Sequence, residues 1–336
     1  MTLAEFSAFI RRSARWFLIS IAVLFLLWLV WIFIRATSGF FIQPKGEDTA
    51  FGKLAIPFFV KSYSFIKAGR YELDTSLPKQ QEKALVYEFN PANKFSEQQT
   101  SKIASFLGFT ESSQKKVGAT ITWGSTSGQA YLKLNTATSH FTYRYNFSKE
   151  DSDLEKISFT EKEALAKTKE ILQQLGLLPE DISKGASIAR YLKISGSKQE
   201  KVAEGTANAL EVSLFRKVGN STSNGDAPIR FLFGASLKIL EFDYNYSPLD
   251  PVGSPYPIIS GQAAWNSFQE GKAYTSTRTD FDSIIVTKIS LSYWESALPQ
   301  KYIQPVWLFV GKGKTDSQEE EFTAVYTAIS QSFLSE

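Results

Sequence analysis

The segment WFLISIAVLFLLWLVWIFI, Trp16 to Ile34, constrains this chain more than any other: nineteen residues without a charge, with Ser20 the only polar side chain. As a helix rising 1.5 Å per residue it is about 28 Å long, close to the ~30 Å hydrocarbon thickness of a bilayer. A core helix of that length in a soluble protein would carry a polar stripe, and this run has none. It reads as a transmembrane helix whose ends are Trp16 and Ile34.

Charge sets its direction. Arg11, Arg12 and Arg15 precede the run and only Arg35 follows it closely, so the positive-inside rule leaves the N-terminus in the cytoplasm and the C-terminal region outside. A cleavable signal peptide would have a shorter apolar region and a small-residue cleavage site, whereas Trp28, Trp31 and Arg35 stand at the end of this one. The expectation is an uncleaved signal-anchor in the cell membrane. Its small side chains, Ser20 and Ala22, lie in the cytoplasmic half, and no small-xxx-small motif is present. The helix is therefore expected to anchor the chain, with recognition left to the outer region.

The remainder is electrically neutral. Of the 37 basic and 34 acidic residues, four arginines and Glu5 lie in residues 1–35, which leaves 33 of each sign beyond. A balanced body gives no global reason to bind nucleic acid. Zero Cys excludes disulfide frameworks, zinc fingers and cysteine nucleophiles, and a single His excludes a multi-His metal centre.

Beyond a juxtamembrane connector (35–57), amphipathic helix signals alternate with period-two strands. Ser96–Gly108 has Ser96 and Gln99 spaced as a capping box and Gly108 as a stop. Thr160–Gly176 pairs Thr160 with Glu163 in the same way, carries Leu165, Ile171, Leu172 and Leu175 as its stripe, and stops at Gly176. Ser260–Gly271 is the third helix. Strands are expected at Ala84–Phe89, Val117–Trp123, Tyr131–Leu134, Phe141–Phe147, Ile188–Ile194, Ala209–Phe215, Ile229–Phe242, Ile284–Trp294, Gln304–Val310 and Glu321–Ile329. GNSTSNGDAP (219–228) reads as a hairpin loop, and the GKGK of 311–314 as a solvated loop.

Residues 244–259 hold four of the twelve prolines and read as a stiff extended connector. The fold class is α+β: a transmembrane helix followed by repeated helix-plus-antiparallel-sheet modules. The partition is a cytoplasmic tail 1–15, the span 16–34, modules at 58–150, 151–243 and 260–336, and the two connectors.

Two helix starts, TEKEALAKTKEILQQLG and SGQAAWNSFQEG, each leading into strands, resemble PepSY-type extracytoplasmic modules. The segment ISLSYWESALPQKYIQPVWLFVG (289–311) is similar to the C-terminal part of the YycH/YycI group of bitopic membrane proteins. The resemblance spans roughly 155–336 and implies a non-enzymatic accessory protein contacting a membrane partner. Fold alone does not fix function.

Chemistry-bearing motifs are sparse. No G-x-S-x-G, H-E-x-x-H, P-loop or G-x-G-x-x-G occurs. His140 is available as a general base but reads as a half-exposed strand residue. Asp280 and Asp282 in TDFD supply too few oxygens for a calcium loop, and GSTSG (124–128) sits between strands as a turn. No catalytic residue, cofactor or metal ligand is assigned. Tyr244, Tyr246 and Tyr256 around the prolines form the candidate interface, whereas Trp294 and Trp307 read as core. The expected function is a membrane-anchored extracytoplasmic binding or regulatory protein, its partners the lipid bilayer and a membrane or envelope protein. An envelope hydrolase with unidentified acids and a structural spacer are the competing classes.

Overall fold

Short polar side chains cap three of the four α-helices described within residues 48–335. The computed structural model describes Leu26, Trp28 and residues 48–57, 64–90, 94–125, 128–146, 154–196, 198–276, 278–316 and 318–335. In helix α1 (Glu97–Phe106), Ser96 Oγ accepts from Gln99 N at 3.1 Å. The Gln99 side chain does not reach back to complete the box but donates to the Leu175 carbonyl at 2.6 Å. In helix α2 (Glu161–Leu175) the Thr160–Glu163 box is complete, and Gly176 ends it at φ 71°. Helix α3 (Glu180–Ser183) is one turn, and Ser260 caps helix α4 (Gly261–Gln269).

A nine-stranded antiparallel sheet takes the order Lys198–Lys201, Ser187–Ser195, Ala209–Leu214, Ile229–Phe233, Ile239–Tyr244, His140–Tyr145, Ala130–Asn135, Thr120–Gly124 and Gln114–Val117. α1 and α2 cover one face. Ile103, Ala104, Ile171, Leu172 and Leu175 share a core with Leu132, Leu134, Phe141, Phe231 and Phe242. Phe231 and Phe242 stack at 3.9 Å, and each ring of this size contributes roughly 1.5–3 kcal/mol by leaving water.

The second sheet is built around Asp280–Glu295, sixteen residues long. Tyr302–Lys314 pairs antiparallel along one edge; on the other, Lys67–Leu73 and Ser221–Gly225 pair in parallel, one beside each end. Glu319–Thr327 continues the sheet beyond Tyr302–Lys314. α4 packs Trp265 and Phe268 onto it, with Phe268 4.7 Å from Phe309. Trp294 and Trp307 are buried, as their strands suggested. The architecture is mixed α+β and mostly sheet.

Pairing crosses the boundaries read from sequence. His140–Tyr145 pairs with Ile239–Tyr244, so strands from 58–150 and 151–243 share one sheet. Strands Lys67–Leu73 and Lys83–Glu88 join the sheet of the C-terminal residues instead.

Three local expectations are corrected. The single strand 229–242 is two, Ile229–Phe233 and Ile239–Tyr244, separated by a turn in which Ser236 and Leu237 have positive φ. The segment 219–228 is not a free loop: Ser221–Gly225 is a strand paired in parallel with Tyr293–Glu295, reinforced where Ser221 Oγ donates to the Leu291 carbonyl and Ser292 Oγ to the Thr222 carbonyl. Gly225 is required there, since a Cβ would lie 2.3 Å from the Glu295 carbonyl. Gly311–Lys314 likewise ends a strand rather than forming a loop. A Cβ on Gly311 would sit 2.1 Å from the Ile285 carbonyl, beside the bulge between Val286 and Lys288.

Apart from Leu26 and Trp28, both helical, the Trp16–Ile34 run lies outside the described residues, as do Arg11, Arg12, Arg15 and most of the 35–57 connector. No helix among the described residues is long and apolar enough to cross a membrane. All the remaining description concerns the compact unit Gly46–Glu336.

Candidate functional site

The proline-rich segment passes between the two sheets, and its tyrosines face inward. Ser254–Pro257 is a strand antiparallel to Lys83–Glu88, Phe89 bridges to Leu249, and Ile258 bridges to Ile329. Tyr244 and Tyr256 are buried, and Tyr246 is half-buried. The surface reading of Tyr244 and Tyr256 is therefore corrected, while Tyr246 keeps part of its surface exposed. Alternating Tyr and Pro gave them contact area, but the contacts they make are within the chain.

Tyr244 stacks on Phe141 at 5.4 Å and, with Tyr246, lines the neighbourhood of Arg216. Arg216 is wholly buried. Its guanidinium donates to Glu295 through Nη2 at 2.6 Å and Nε at 2.9 Å, and through Nη1 to Asp181 at 3.2 Å. The Tyr246 and Phe89 rings lie 4.8 and 5.3 Å from its carbon centre. Burial opposes the charge on Arg216, but the adjacent Glu295 carboxylate more than offsets this and holds the guanidinium ionised. Burial and the charge of Asp181 push the Tyr246 phenol well above its ordinary value. One cation thus joins α3, the end of the long Asp280–Glu295 strand, the proline segment and the end of Lys83–Glu88. Nothing in the sequence around Phe215-Arg216-Lys217 signals this role.

Tyr256 holds a second junction. Its hydroxyl donates to the Gly52 carbonyl at 2.9 Å, and its ring meets Phe51 at 6.4 Å and Phe333 at 6.0 Å. Residues 48–55 are fastened along their length. Thr49 N donates to the Pro255 carbonyl at 3.0 Å, Ala50 N to Ser254 Oγ at 2.9 Å, and Gln304 Nε2 to the Ala55 carbonyl at 2.8 Å. Leu54–Ala55 pairs in parallel with Leu334–Ser335, Leu54 is buried, Phe51 stacks on Tyr302 at 4.6 Å, and Asp48 pairs with Lys83. The strap that begins the compact unit is thus bound to its C-terminus.

The acids of the nine-stranded sheet, Glu211, Glu241 and Asp243, are held by arginines. On the face of the nine-stranded sheet opposite α1 and α2, Arg144 grips Asp243 with both nitrogens at 2.6 and 2.9 Å. Arg230 contacts Asp243 at 2.6 Å, Glu241 at 2.7 Å and Glu211 at 3.1 Å. Burial pushes the Asp243 carboxyl up, but the hydrogen bond from Arg144 and the charge of Arg230 outweigh it, leaving its pKa below the ordinary value. Asp280 and Asp282 are exposed, with Arg278 and Asp316 around them. Among the described residues no group of three or more His, Asp or Glu side chains is placed to hold a metal ion.

His140 Nε2 lies 3.0 Å from Ser247 Oγ. Burial lowers its pKa, and a backbone hydrogen bond with Tyr246 acts the other way. The histidine therefore has a hydroxyl partner but a backbone group, not a carboxylate, as its orienting contact.

No family model matches the sequence, the expected PepSY-type modules included, and no curated protein matches it. Several solved structures align with it, the following two among them. The crystal structure of an uncharacterized protein from Eubacterium rectale ATCC 33656 does so at 12% identity and a TM-score of 0.45, over 82% of this chain and 87% of that one. The crystal structure of YycH from Bacillus subtilis does so at 13% identity and a TM-score of 0.36, over 77% of this chain and 56% of that one. Both scores lie below 0.5, and neither protein's function transfers to this chain by that likeness.

Proposed function

We propose that the chain is a single-pass, membrane-anchored extracytoplasmic protein whose outer body binds and regulates a membrane or envelope protein partner. The observation that carries this reading is the strap. Beginning at Asp48, fourteen residues beyond Ile34, the chain is fastened into the sheet of its own C-terminal residues by backbone pairing, three further hydrogen bonds and a stacked ring. A body whose first described residues are tied into its own fold suits presentation of a recognition surface as one unit. The arginine–carboxylate contacts support the same reading, because the most buried acids, Asp243 and Glu295, are held by arginines.

The hydrolase reading has one observation in its favour, the His140–Ser247 contact at 3.0 Å. A triad also needs a carboxylate on the second ring nitrogen and donors for an oxyanion. The backbone contact at Tyr246 supplies neither.

The test is photocrosslinking in intact membranes from exposed apolar positions on the nine-stranded sheet, Val117, Tyr131 and Ile188. Reproducible capture of one membrane or envelope protein is the expected result. Crosslinks to lipid alone from all three positions favour a spacer and refute the binding role.

A further inference from the structure

The face of the nine-stranded sheet opposite α1 and α2 is charge-compensated at its centre and uncompensated toward one end. Its three arginines each meet carboxylates: Arg190 meets Glu211, Arg230 meets Glu211, Glu241 and Asp243, and Arg144 meets Glu241 and Asp243. Beyond Arg144 the acids stop. Residues 114–145 contain Lys115, Lys116, Lys133 and Arg144 and no Asp or Glu, in a body that otherwise balances its charges. Lys115 and Lys133 are exposed, and neither forms an ion pair among the described residues.

Cross-strand register fixes where these residues stand. Lys115 is opposite Thr122, Thr122 opposite Lys133, Lys133 opposite Thr142, and Thr142 opposite Asp243. They form one row across the strands and share one face. Their chain neighbours Ile121, Trp123, Leu132 and Leu134 are buried in the core under the helices, so the row faces the other way. Lys116 is opposite Ile121 and belongs to the helix-covered side, where it lines a cavity with Glu111. At about 4.7–4.9 Å per strand, the Cα atoms of Lys115 and Lys133 lie about 9.5 Å apart. Tyr131 stands two residues from Lys133, about 7 Å along its strand, and Val117 the same distance from Lys115 in the opposite direction. Tyr131 is 39% exposed and Val117 67%.

Lysines on an edge strand commonly keep other strands from pairing with it, which accounts for Lys115. Lys133 lies two strands in from the edge, where that purpose is void. A polyanion without apolar groups answers the lysines alone. The exposed ring and valine on either side of the row call for apolar side chains as well, as protein interfaces supply. Carboxylates seven residues apart on a helix are about 10.5 Å apart, close to the lysine separation. We propose that this row docks an acidic, partly apolar segment of the protein partner, with two carboxylates on Lys115 and Lys133 and apolar side chains on Tyr131 and Val117. The proposal rests on the partner-binding reading above and assigns it a surface and a partner chemistry.

The test places the photoreactive residue p-benzoylphenylalanine at Tyr131 of the full chain and irradiates intact membranes. The expected product is a protein crosslink mapped to a segment of net negative charge, with paired Asp or Glu residues within roughly two helical turns. Lys115→Glu with Lys133→Glu lowers its yield at least about fivefold, because two exposed attractive contacts become repulsive. Lys115→Arg with Lys133→Arg retains it. So does Lys198→Glu with Lys201→Glu, which makes the same change of net charge on the opposite edge of the sheet. Crosslinks from Tyr131 to lipid alone or within the chain itself, a mapped segment without acidic residues, or a yield indifferent to reversal of Lys115 and Lys133 overturns the proposal. Protein capture from Ile188 alongside any of these results refutes this surface and leaves the partner reading standing, whereas absence of protein capture from every position refutes both.

Discussion

Removing the Glu295 carboxylate isolates a buried charge. Arg216 has no exposed side-chain surface and Glu295 only 5%, so neither ion is hydrated in the native state. In Glu295→Ala, Arg216 keeps Asp181 at 3.2 Å and the Tyr246 ring, but loses its contacts at 2.6, 2.9 and 3.0 Å. Breaking one side of a buried pair typically costs about 3–5 kcal/mol. For a body of this size each kcal/mol lowers the melting temperature by about 2–4 °C, so the loss is roughly 6–20 °C. Replacing both partners with apolar side chains, Arg216→Met with Glu295→Leu, removes the orphaned charge and is expected to recover most of the deficit, to within about 1–2 kcal/mol of the parent. Urea unfolding of the full chain in detergent, followed by far-UV circular dichroism, measures both. A single variant that loses less than about 1 kcal/mol, or a double variant no more stable than the single, refutes the view that Arg216 is a buried, fully compensated cation.

Three further outcomes follow from the same contacts. Asp243 has a depressed native pKa, so its stabilising contribution is complete above its unfolded value near 4 and is lost as pH falls through the lower native value; Asp243→Asn flattens the acid limb of the stability curve measured below about pH 4. Tyr256→Phe deletes the hydroxyl that donates to Gly52 and is expected to cost about 1 kcal/mol, with faster proteolytic cleavage within residues 48–55 as the local readout. Exchanging Trp16–Ile34 for an unrelated apolar span of equal length preserves crosslinked partner capture, since the run lacks closely packing small residues; loss of capture with normal membrane targeting assigns recognition to the span instead.

Much of the fold was legible because its signals are local. Thr160 caps its helix in the box its spacing indicated, Ser96 caps α1 without the Gln99 half of the box, and Gly176 stops α2 in the left-handed conformation. Alternation placed Leu132, Leu134, Phe141 and Tyr143 inward. Non-local pairing left weaker traces. Ser221–Gly225 has a loop's composition and becomes a strand only because the Asp280–Glu295 strand offers it a parallel partner. The tyrosines at 244, 246 and 256 show why aromatic, proline-rich segments are ambiguous: the same side chains suit a partner's surface or the seam between two sheets. Arg216, Glu295 and Asp181 are separated by up to 114 residues, so no window of sequence reveals their meeting.

The central claim is that the body beyond Ile34 lies outside the cytoplasmic membrane while the N-terminus stays within. The chain contains no cysteine, so one introduced thiol reports its own compartment. Ser13→Cys and Lys198→Cys, the latter on an exposed edge strand, are each exposed to a membrane-impermeant maleimide in intact spheroplasts and again after lysis. The account predicts labelling of Lys198→Cys in intact cells and of Ser13→Cys only after lysis. Protection of Lys198→Cys until lysis contradicts it.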